Sequence, residues 1–257
     1  GAIWSMPQKD IMNYPVRSLF EFFNNHKLLH GKKDRPKWLT VSGGSINYVN
    51  KIINFLKANP RVKLLKNNGV KKIKRENGFI KITDNEGNTS KVDHIIFSQN
   101  PSKVINILSD IQKKELDLLG KFKANKNTAY LHSDESIMPK TKKIWSSWNI
   151  FVPKDEKNHI SVTYWMNKLQ NINNKTPLFL SLNPVRLPNE GSIFKVIDYE
   201  HPVFDSKSIT ALKFLDEIQG LNNTWYCGAW SGNGFHEDGL NSSLKIANKL
   251  GIKALWD

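Results

Sequence analysis

The stretch TWYCGAWSGNGFHEDGLNSSLKIANKLG, residues 224–251, combines residue types that could hold an anion or a polarised carbonyl group. Its apolar start predicts a strand, its glycines predict a turn, and the apolar spacing that follows Gly239 predicts a helix. Gly232, Gly234 and Gly239 allow positive φ or a close approach of the backbone to a ligand. The helix N-terminus would add free N–H groups and the positive end of the helix dipole. The stretch therefore predicts a binding site at the start of this helix.

These glycines do not form a dinucleotide-binding fingerprint. After Gly232 and Gly234 the pattern needs glycine or alanine at position 237, where the chain has Glu237. A fingerprint also opens a βαβ unit with an acidic residue about twenty residues further on. Only six residues follow Gly251. The strand and helix can therefore close a nucleotide fold begun elsewhere, and they cannot be its first unit.

Three side chains at the start of this helix each allow two roles. His236 could relay a proton or stabilise negative charge beside a ligand, and the alternative is that it only fixes the turn. Glu237 and Asp238 are typical of helix capping, and the alternative is a catalytic role. The sequence leaves both pairs of alternatives open.

Other reactive residues exclude several kinds of site. Cys227 is the only cysteine, so neither an intramolecular disulfide nor a cysteine cluster for metal is possible. His132, His159 and His201 show no metal-ligand spacing and are interpreted as structural or surface residues. No G-x-S-x-G elbow occurs, which argues against a serine hydrolase of that type. We predict no metal site.

The charge of the chain invites a nucleic-acid interpretation, because the net charge is +15 and the pI is 9.7. The lysines are scattered, however, and no basic stripe alternates with stacking aromatic residues. We therefore expect a compositional bias and no specific nucleic-acid partner. No apolar run approaches the length of a membrane span, and the start shows no signal-peptide pattern. We expect a cytoplasmic protein with no membrane span.

Apolar periodicity predicts the elements that would position the glycine turn. Helical spacing occurs in residues 18–29, in 37–59 after a Gly-Gly-Ser turn, and in 101–122, where Gly120 is the expected end. Strand patterns occur at the start of 37–59, in 62–68, in 69–99, and repeatedly across 126–204. The last region predicts an antiparallel sheet with short turns. The mixed order of these patterns predicts interleaved domains.

Several stretches match one family in a single order along the chain. They are AIWS (2–5), FEFFNNHKLL (20–29), RPKWLTVSGGSINYV (35–49), ELDLLGKFKANKNTAYLHSDESIMPK (115–140), WSSWN (145–149), VTYWMNKLQ (162–170), LNP (182–184), EHPVFD (200–205) and YCGAWSGNGFHEDGLNSSLKIANKLG (226–251). The chain resembles the C-terminal part of FAD-dependent amine-oxidase-like proteins. More closely, it resembles predicted NAD/FAD-binding proteins often found alongside cyclopropane-fatty-acid synthase-like proteins. Two departures are the lack of the N-terminal GxGxxG segment and Ala229, where many amine oxidases have an acidic residue.

The resemblance implies an α/β plus α+β fold. In it, an incomplete FAD-binding Rossmann-like portion is interleaved with an antiparallel-sheet and helix substrate domain. The implied segments are substrate-domain helices in 1–37, the middle part of the FAD-binding domain in 38–100, a substrate domain with a mixed antiparallel sheet in 101–221, and the C-terminal strand and helix of the FAD-binding domain in 222–257. Because 38–99 and 222–251 each supply strands and a glycine turn, we predict that they pack together as one layer.

The resemblance also implies which residues form the site. Contacts to FAD are expected from Gly43, Gly44, Ser45, Val70, Gly228, Gly234, Glu237, Asp238 and Gly239. His236 is the expected catalytic residue, beside the flavin ring. Trp148, Tyr164 and Trp165 are expected to line a substrate cavity, and the alternative is that they pack in the core of the sheet.

The implied function is that of an FAD-dependent oxidoreductase of amine-oxidase type, which transfers hydride from a small-molecule substrate to the flavin. The broad family implies an amine and the closer group's association implies a lipid-like molecule, so the substrate stays open. The alternative is a non-catalytic binding or scaffold domain with a degenerate flavin fold. Because a GxGxxG unit normally grips the ADP half of FAD, we expect the isolated chain to hold FAD poorly, to be inactive, and to self-associate through the edge exposed there.

Overall fold

The computed structural model of the chain describes residues 12, 14–31, 36–153, 160–173, 175–254 and 256. AIWS (2–5) and His159, which the sequence analysis singled out, lie outside the described residues. The chain divides into two compact units, one formed by residues 1–65 and 125–201 and the other by 66–124 and 202–257. The segment boundaries expected after residues 37, 100 and 221, and the cofactor and substrate roles of the segments, stay predictions.

The elements are numbered in chain order among the described residues. The strands are β1 (Val70–Glu76), β2 (Phe79–Asp84), β3 (Thr89–Val92), β4 (Ile95–Phe97), β5 (Ala124–His132), β6 (Trp148–Phe151), β7 (Ser161–Trp165), β8 (Phe179–Leu182), β9 (Ile193–Pro202) and β10 (Thr224–Tyr226). The α-helices are α1 (Val16–Asn25), α2 (Ile46–Ala58), α3 (Pro101–Ile107), α4 (Lys113–Leu119), α5 (Met166–Leu169), α6 (Ser206–Leu212) and α7 (His236–Lys249). Among the described residues, no helix is long and apolar enough to cross a bilayer.

The unit formed by 66–124 and 202–257 contains an antiparallel meander, β1-β2-β3, and a parallel pair, β4 and β10. In β1 the two-residue period of a strand places Ile73 and Arg75 on the same face, and both side chains are buried. The core of the unit consists of Ile73, Ile80, Phe97, Val104, Leu108, Leu119, Phe122, Ala211, Ile218, Tyr226 and Trp230. The predicted helical region 101–122 forms α3 and α4, and α4 ends at Gly120 as expected.

The parallel pair joins distant parts of the sequence. Thr224 pairs with Ile95, Trp225 with Ile96, and Tyr226 with Phe97. The predicted packing of the 222–251 stretch against the end of the 69–99 stretch is therefore confirmed for these two strands.

The unit formed by 1–65 and 125–201 contains a five-stranded sheet in the order β6-β7-β8-β5-β9. The pairs β6–β7, β7–β8 and β5–β8 are antiparallel. The prediction of an antiparallel sheet in this part of the sequence is confirmed, as is the coarser prediction of a mixed helix-and-sheet fold. The same unit contains α1 and α2, and α2 follows the predicted Gly-Gly-Ser turn.

Two strand predictions are wrong. Residues 37–41 and 62–68 form no strand, although their apolar patterns resemble one. Trp38 and Leu39 are 63% and 86% exposed, so neither is buried as an apolar residue in the core of a sheet would be. In the second segment Asn67 has a φ of 56°, which breaks the extended conformation. A strand needs partners for its N–H and C=O groups, and an alternating pattern does not supply them.

Candidate functional site

The glycine turn begins where β10 ends, and Gly228 is required there by space and conformation. Its φ is 134°, and a Cβ would lie 2.8 Å from the ring of Trp230 and 3.3 Å from the Ser98 carbonyl oxygen. Its N–H donates to Ser242 Oγ at 2.9 Å, which ties the turn to α7. Trp230 Nε1 donates to the Cys227 carbonyl at 2.9 Å, so the ring is held against the end of the strand. Any larger residue at 228 would displace it.

The second half of the turn folds back on Ala229. The N–H groups of Gly232 and Gly234 donate to the Ala229 carbonyl at 3.2 and 3.1 Å. Gly234 has a φ of 90°, and a Cβ there would lie 3.0 Å from the ring of Phe204. A Cβ at Gly232 would overlap the carboxylate of Asp238. Gly232 is therefore required by packing against Asp238, and Gly234 by its positive φ and by packing against Phe204.

Asp238 caps α7. Its Oδ2 accepts a hydrogen bond of 2.9 Å from the N–H of Phe235, the residue before the helix. The capping interpretation is therefore confirmed for Asp238. His236 and Glu237, in the first turn, are exposed. Two carboxylates in this turn offset part of the positive dipole end, so the turn is less suited to a phosphate than the sequence pattern alone indicates.

Gly239 differs from the other glycines of the stretch. A Cβ there would meet only Ala229, with its nearest atom 3.6 Å away, which is an ordinary contact. The Gly239 carbonyl accepts hydrogen bonds from Ser242 Oγ at 2.7 Å and Ser243 Oγ at 3.0 Å. Nothing within the unit requires glycine at this position. A polar cleft of about 650 Å³ opens along α7 and is lined in part by Gly232, Asp238 and Ser242.

A buried polar network supports the strand that leads into the turn. Arg75 donates to both carboxylate oxygens of Glu115 at 2.7 and 2.8 Å, and its Nε donates to Asp110 at 2.8 Å. Tyr226, on β10, donates its hydroxyl to Glu115 at 2.7 Å. The Gln112 N–H completes the carboxylate's partners at 2.9 Å. The network joins β1, α4 and β10.

The network sets the protonation states of its members. Burial alone would raise the pKa of Glu115, but hydrogen bonds from Arg75, Gln112 and Tyr226 hold that pKa below its ordinary value. Burial alone would lower the pKa of Arg75, and its bonds to Glu115 and Asp110 raise it instead. Burial and the bond to Glu115 raise the pKa of Tyr226. The three side chains are a carboxylate, a guanidinium and a neutral phenol, so the network serves structure rather than proton transfer.

The other predicted cofactor contacts lie outside this turn. Gly43 and Gly44 have φ values of 76° and 87° and form the turn before α2, where the Gly44 N–H donates to the Val41 carbonyl at 2.9 Å. Ser45 precedes α2 without a side-chain capping bond. All three belong to the unit formed by 1–65 and 125–201. Val70 begins β1 in the same unit as the 228–239 turn and is 40% exposed.

The three aromatic residues expected at a substrate cavity divide between the two faces of the sheet. Trp148 and Tyr164 are cross-strand partners, with ring centroids 5.3 Å apart in an edge-to-face arrangement. Trp165, the next residue along β7, lies on the other face. There it packs edge-to-face on Trp145 at 5.4 Å, beside the buried Phe179. Trp148 and Tyr164 therefore lie together, and Trp165 packs in a separate cluster.

Sequence reasoning missed a buried hydrogen-bonded chain in the same sheet. His132 Nε2 lies 2.8 Å from Ser181 Oγ, which lies 2.8 Å from Thr163 Oγ1. The Asp134 N–H donates to His132 Nδ1 at 3.1 Å, so Nε2 carries the proton and donates to Ser181. His132 therefore cannot take a proton from Ser181, which excludes a serine–histidine nucleophile here. The interpretation of His132 as a structural residue agrees with this geometry.

Sequence reasoning also missed the Arg75 network. Arg75 follows the apolar Ile73 by two residues, so in a strand its side chain points to the same side as that of Ile73. This spacing was the signal in the sequence for a buried arginine. Nothing in the sequence indicated Glu115 as its partner, forty residues away. Among the described residues, no group of three or more His, Cys, Asp or Glu side chains could hold a metal ion.

Comparison with known proteins shows the fold. No protein-family model and no curated protein sequence matches the chain. A putative protoporphyrinogen oxidase from Exiguobacterium sp. 255-15 is similar over 91% of this chain and 57% of its own, at 12% identity and a TM-score of 0.59. A redesigned putrescine oxidase is similar over 81% of this chain and 53% of its own, at 10% identity and a TM-score of 0.53.

A third solved structure, the CLA-producing fatty acid isomerase from P. acnes, is similar over 79% of this chain and 52% of its own, at 13% identity and a TM-score of 0.51. The chain therefore spans a little over half the length of each of these proteins. It shares the fold of that part, which agrees with the expected mixed helix-and-sheet fold at this coarse level.

Proposed function

We propose that the chain forms the flavin-facing part of an FAD-dependent oxidoreductase. The observation that carries the proposal is the turn from Gly228 to Gly239, held between β10 and α7 in a fold similar to that of two oxidases. The proposal also assigns the cofactor role to the unit that contains this turn. Bound FAD would supply the hydride-accepting ring, which no side chain of the chain can replace.

The first turn of α7 and Gly239 fit a flavin ring better than a phosphate. Glu237 and Asp238 place negative charge at the helix start, which disfavours a second anion there. Free N–H groups of the first helical turn suit an uncharged, polarised carbonyl such as that of a flavin ring. The absence of a Cβ at Gly239, which the packing does not require, lets such a ring approach the backbone.

The substrate is proposed to be a small amine or a lipid-like molecule. Trp148 and Tyr164 form the aromatic pair that remains a candidate for substrate contact. His236, exposed at the start of α7, could hold or donate a proton near the ring. These roles rest on the resemblance of the sequence and on the placement of each residue within its own unit.

Flavin titration tests the proposal. The chain should quench the fluorescence of riboflavin and FAD with similar midpoints, because it would bind the ring rather than the ADP half. The pyrophosphate contacts of a GxGxxG unit are charge-assisted hydrogen bonds, each worth about 1.5–3 kcal/mol. Losing even two weakens FAD binding roughly a hundredfold or more. A stoichiometric flavin band that survives desalting would show that the expectation of weak binding is wrong.

Two glycine substitutions supply matched variants. Gly239→Ala should weaken binding of both flavins while the unfolding midpoint stays the same or rises, because alanine is the better helix former. Gly234→Ala should lower the unfolding midpoint, because it strains a positive φ beneath Phe204. If neither flavin is quenched at millimolar concentration, or if Gly239→Ala binds flavin like the unsubstituted chain, the proposed flavin site is refuted.

A further inference from the structure

A cavity of about 620 Å³ lies in the unit formed by residues 1–65 and 125–201, against one face of its five-stranded sheet. Its size is in the range typical of small-ligand sites. The walls are largely apolar, with Met138, Ile150, Phe151 and Val185 among the lining residues. Thr163 contributes a hydroxyl group from β7. The glycine turn of residues 228–239 belongs to the other unit, and none of its residues lines this cavity.

One wall of the cavity is held by a packed aromatic cluster. Met138 is 5% exposed and packs with Trp145 and Phe179. Trp145 Nε1 donates to the Pro139 carbonyl at 2.7 Å, which fixes the segment that carries Met138. Ile150 and Phe151, in contrast, are 58% and 59% exposed. The cavity therefore combines one fixed wall with an uncovered apolar side.

The charge at the cavity is positive. Arg186 and Lys140 line it, and no acidic residue is among its described lining residues. Arg186 Nη2 donates to the carbonyl and to the hydroxyl oxygen of Ser136, both at 2.7 Å. These bonds orient the guanidinium and use one of its three nitrogens, so its other N–H donors stay available to a ligand.

Asp134 carries a negative charge that acts on Arg186, and its carboxylate is engaged in other hydrogen bonds. It accepts hydrogen bonds from the N–H and hydroxyl of Ser136 at 2.9 and 2.5 Å and from the Asn189 N–H at 2.9 Å. Asp134 thus positions Ser136, which in turn positions Arg186. Its single charge reduces the positive potential of Arg186 and Lys140 without cancelling both.

We propose that this cavity binds a single-chain anionic amphiphile, with the acidic head on Arg186 and the alkyl chain against Phe151, Met138 and Val185. Apolar walls favour a chain, and an oriented guanidinium favours a carboxylate or a similar acidic head. The proposal does not depend on flavin binding. A failed flavin titration leaves it intact, and a failure of this binding leaves the flavin proposal intact.

Calorimetric titration of the chain without flavin tests the proposal. Dodecanoate, below its micellar concentration, should bind with one site per chain. Acetate, which lacks the chain, and dodecyltrimethylammonium, which reverses the charge, should not bind measurably. Dodecan-1-ol should bind at least tenfold more weakly than dodecanoate, because a lost charge-assisted hydrogen bond costs roughly a factor of ten or more.

Arginine variants separate the head-group contact from general charge. Arg186→Gln should weaken dodecanoate binding about tenfold or more and leave dodecan-1-ol binding unchanged. Arg61→Gln, an equal charge change at an exposed residue that does not line the cavity, should bind like the unsubstituted chain. Arg186 is exposed, so its loss should not prevent folding, and a thermal melt of each variant checks this.

Three outcomes would overturn the proposal: equal affinity for dodecanoate and dodecan-1-ol, equal affinity of the Arg186→Gln and Arg61→Gln variants, or no binding of dodecanoate at all. Anionic phospholipid vesicles are the other source of the same chemistry. If Arg186→Gln lowers sedimentation with vesicles but leaves dodecanoate binding unchanged, the cavity does not hold a free amphiphile. We expect the opposite result, in which Arg186→Gln weakens dodecanoate binding and leaves sedimentation with vesicles unchanged.

Discussion

Tyr226 and Glu115, which are 111 residues apart in the sequence, meet in the interior through a 2.7 Å hydrogen bond from the phenol hydroxyl to the carboxylate. Glu115 has no exposed surface, and the side chain of its ion-pair partner Arg75 is 5% exposed. The bond fixes β10 at its last residue, two positions before Gly228 of the glycine turn. The position of the turn therefore depends on a buried carboxylate supplied by α4.

Removing the carboxylate should destabilise this unit strongly. Glu115→Leu leaves Arg75 buried with Asp110 as its remaining carboxylate, and breaking a buried ion pair in this way costs about 3–5 kcal/mol. Tyr226→Phe removes one hydrogen bond to a charged group and should cost about 1.5–3 kcal/mol. Urea unfolding measures the free-energy loss of both variants.

Glu217→Gln, at an exposed pair with Lys114, is the control and should cost less than about 1 kcal/mol. Equal losses in Glu115→Leu and Glu217→Gln would contradict the structural role.

The pH dependence of stability should report on His132. Burial lowers the pKa of this imidazole, and the nearby Asp134 charge opposes the shift only in part. The unfolded chain therefore binds more protons once the pH falls below about 6.5, the ordinary histidine value. The unfolding free energy should be fully present above that pH and decrease as the pH falls towards the folded pKa.

The measurement is urea unfolding at pH 7.5 and pH 5.5. His132→Asn should lose stability at pH 7.5 and show a smaller decrease on acidification. His201 is still present in this variant, and burial lowers its pKa as well. It should therefore still cause part of the decrease in stability on acidification. Ser181→Ala removes a partner of His132 without removing the titrating group, so its decrease should match that of the unsubstituted chain. A His132→Asn variant with an unchanged pH dependence would disprove the assignment.

His236 should affect chemistry more than cofactor affinity, if the proposed flavin site is correct. At saturating FAD, His236→Ala should slow reduction of the flavin by 1-benzyl-1,4-dihydronicotinamide about a hundredfold, the typical loss of a general acid or base. The affinity for FAD should change less than about tenfold, since an exposed side chain supplies at most one hydrogen bond to the cofactor. Stopped-flow absorbance measures the rate. Lys253→Gln, at an exposed residue that follows α7, is the control and should reduce at the original rate. Equal rates for His236→Ala and the unsubstituted protein would rule out a chemical role.

The free edge of β4 should support self-association. The Cys227 N–H donates to the Phe97 carbonyl at 2.9 Å, so Phe97 directs its backbone groups toward β10. Ile96, the preceding residue, therefore directs its N–H and C=O away from β10, and within the described part of the chain no strand pairs with that edge. Its side chain is 50% exposed. Unpaired edges of this kind pair with other chains.

Light scattering across a concentration series measures the association. The unsubstituted chain should form a dimer as its concentration rises. Ile96→Pro removes the outward N–H at an edge position where proline is tolerated, and it should keep the chain monomeric. Ile96→Thr keeps the N–H and should retain most of the association, which separates strand pairing from apolar contact. A chain that is monomeric at every concentration would contradict the prediction.

Local patterns were enough to predict much of the fold. The alternation in 69–99 predicted the β1-β2-β3 meander because lysines on the polar face and isoleucines on the other follow the two-residue period of a strand. The spacing of 101–122 predicted one or two helices and an end at Gly120, and the structure has two, α3 and α4. The same reasoning failed at 37–41 and 62–68, because a strand exists only where a second strand supplies hydrogen-bond partners.

The candidate site also has parts that the sequence predicted and parts that it did not. The sequence by itself determined much of the turn and its helix, since Gly228 makes room for Trp230 and Asp238 caps Phe235, both within a few positions. The Phe204 ring that crowds Gly234, in contrast, comes from a distant part of the sequence. Only the tertiary structure decided that Glu115 would support β10, that Tyr164 would meet Trp148 and that Trp165 would pack on Trp145. Conformational preference is local and can be read along the chain. A buried charge and its partner are joined by packing, which brings together residues whose separation in sequence carries no signal of their contact.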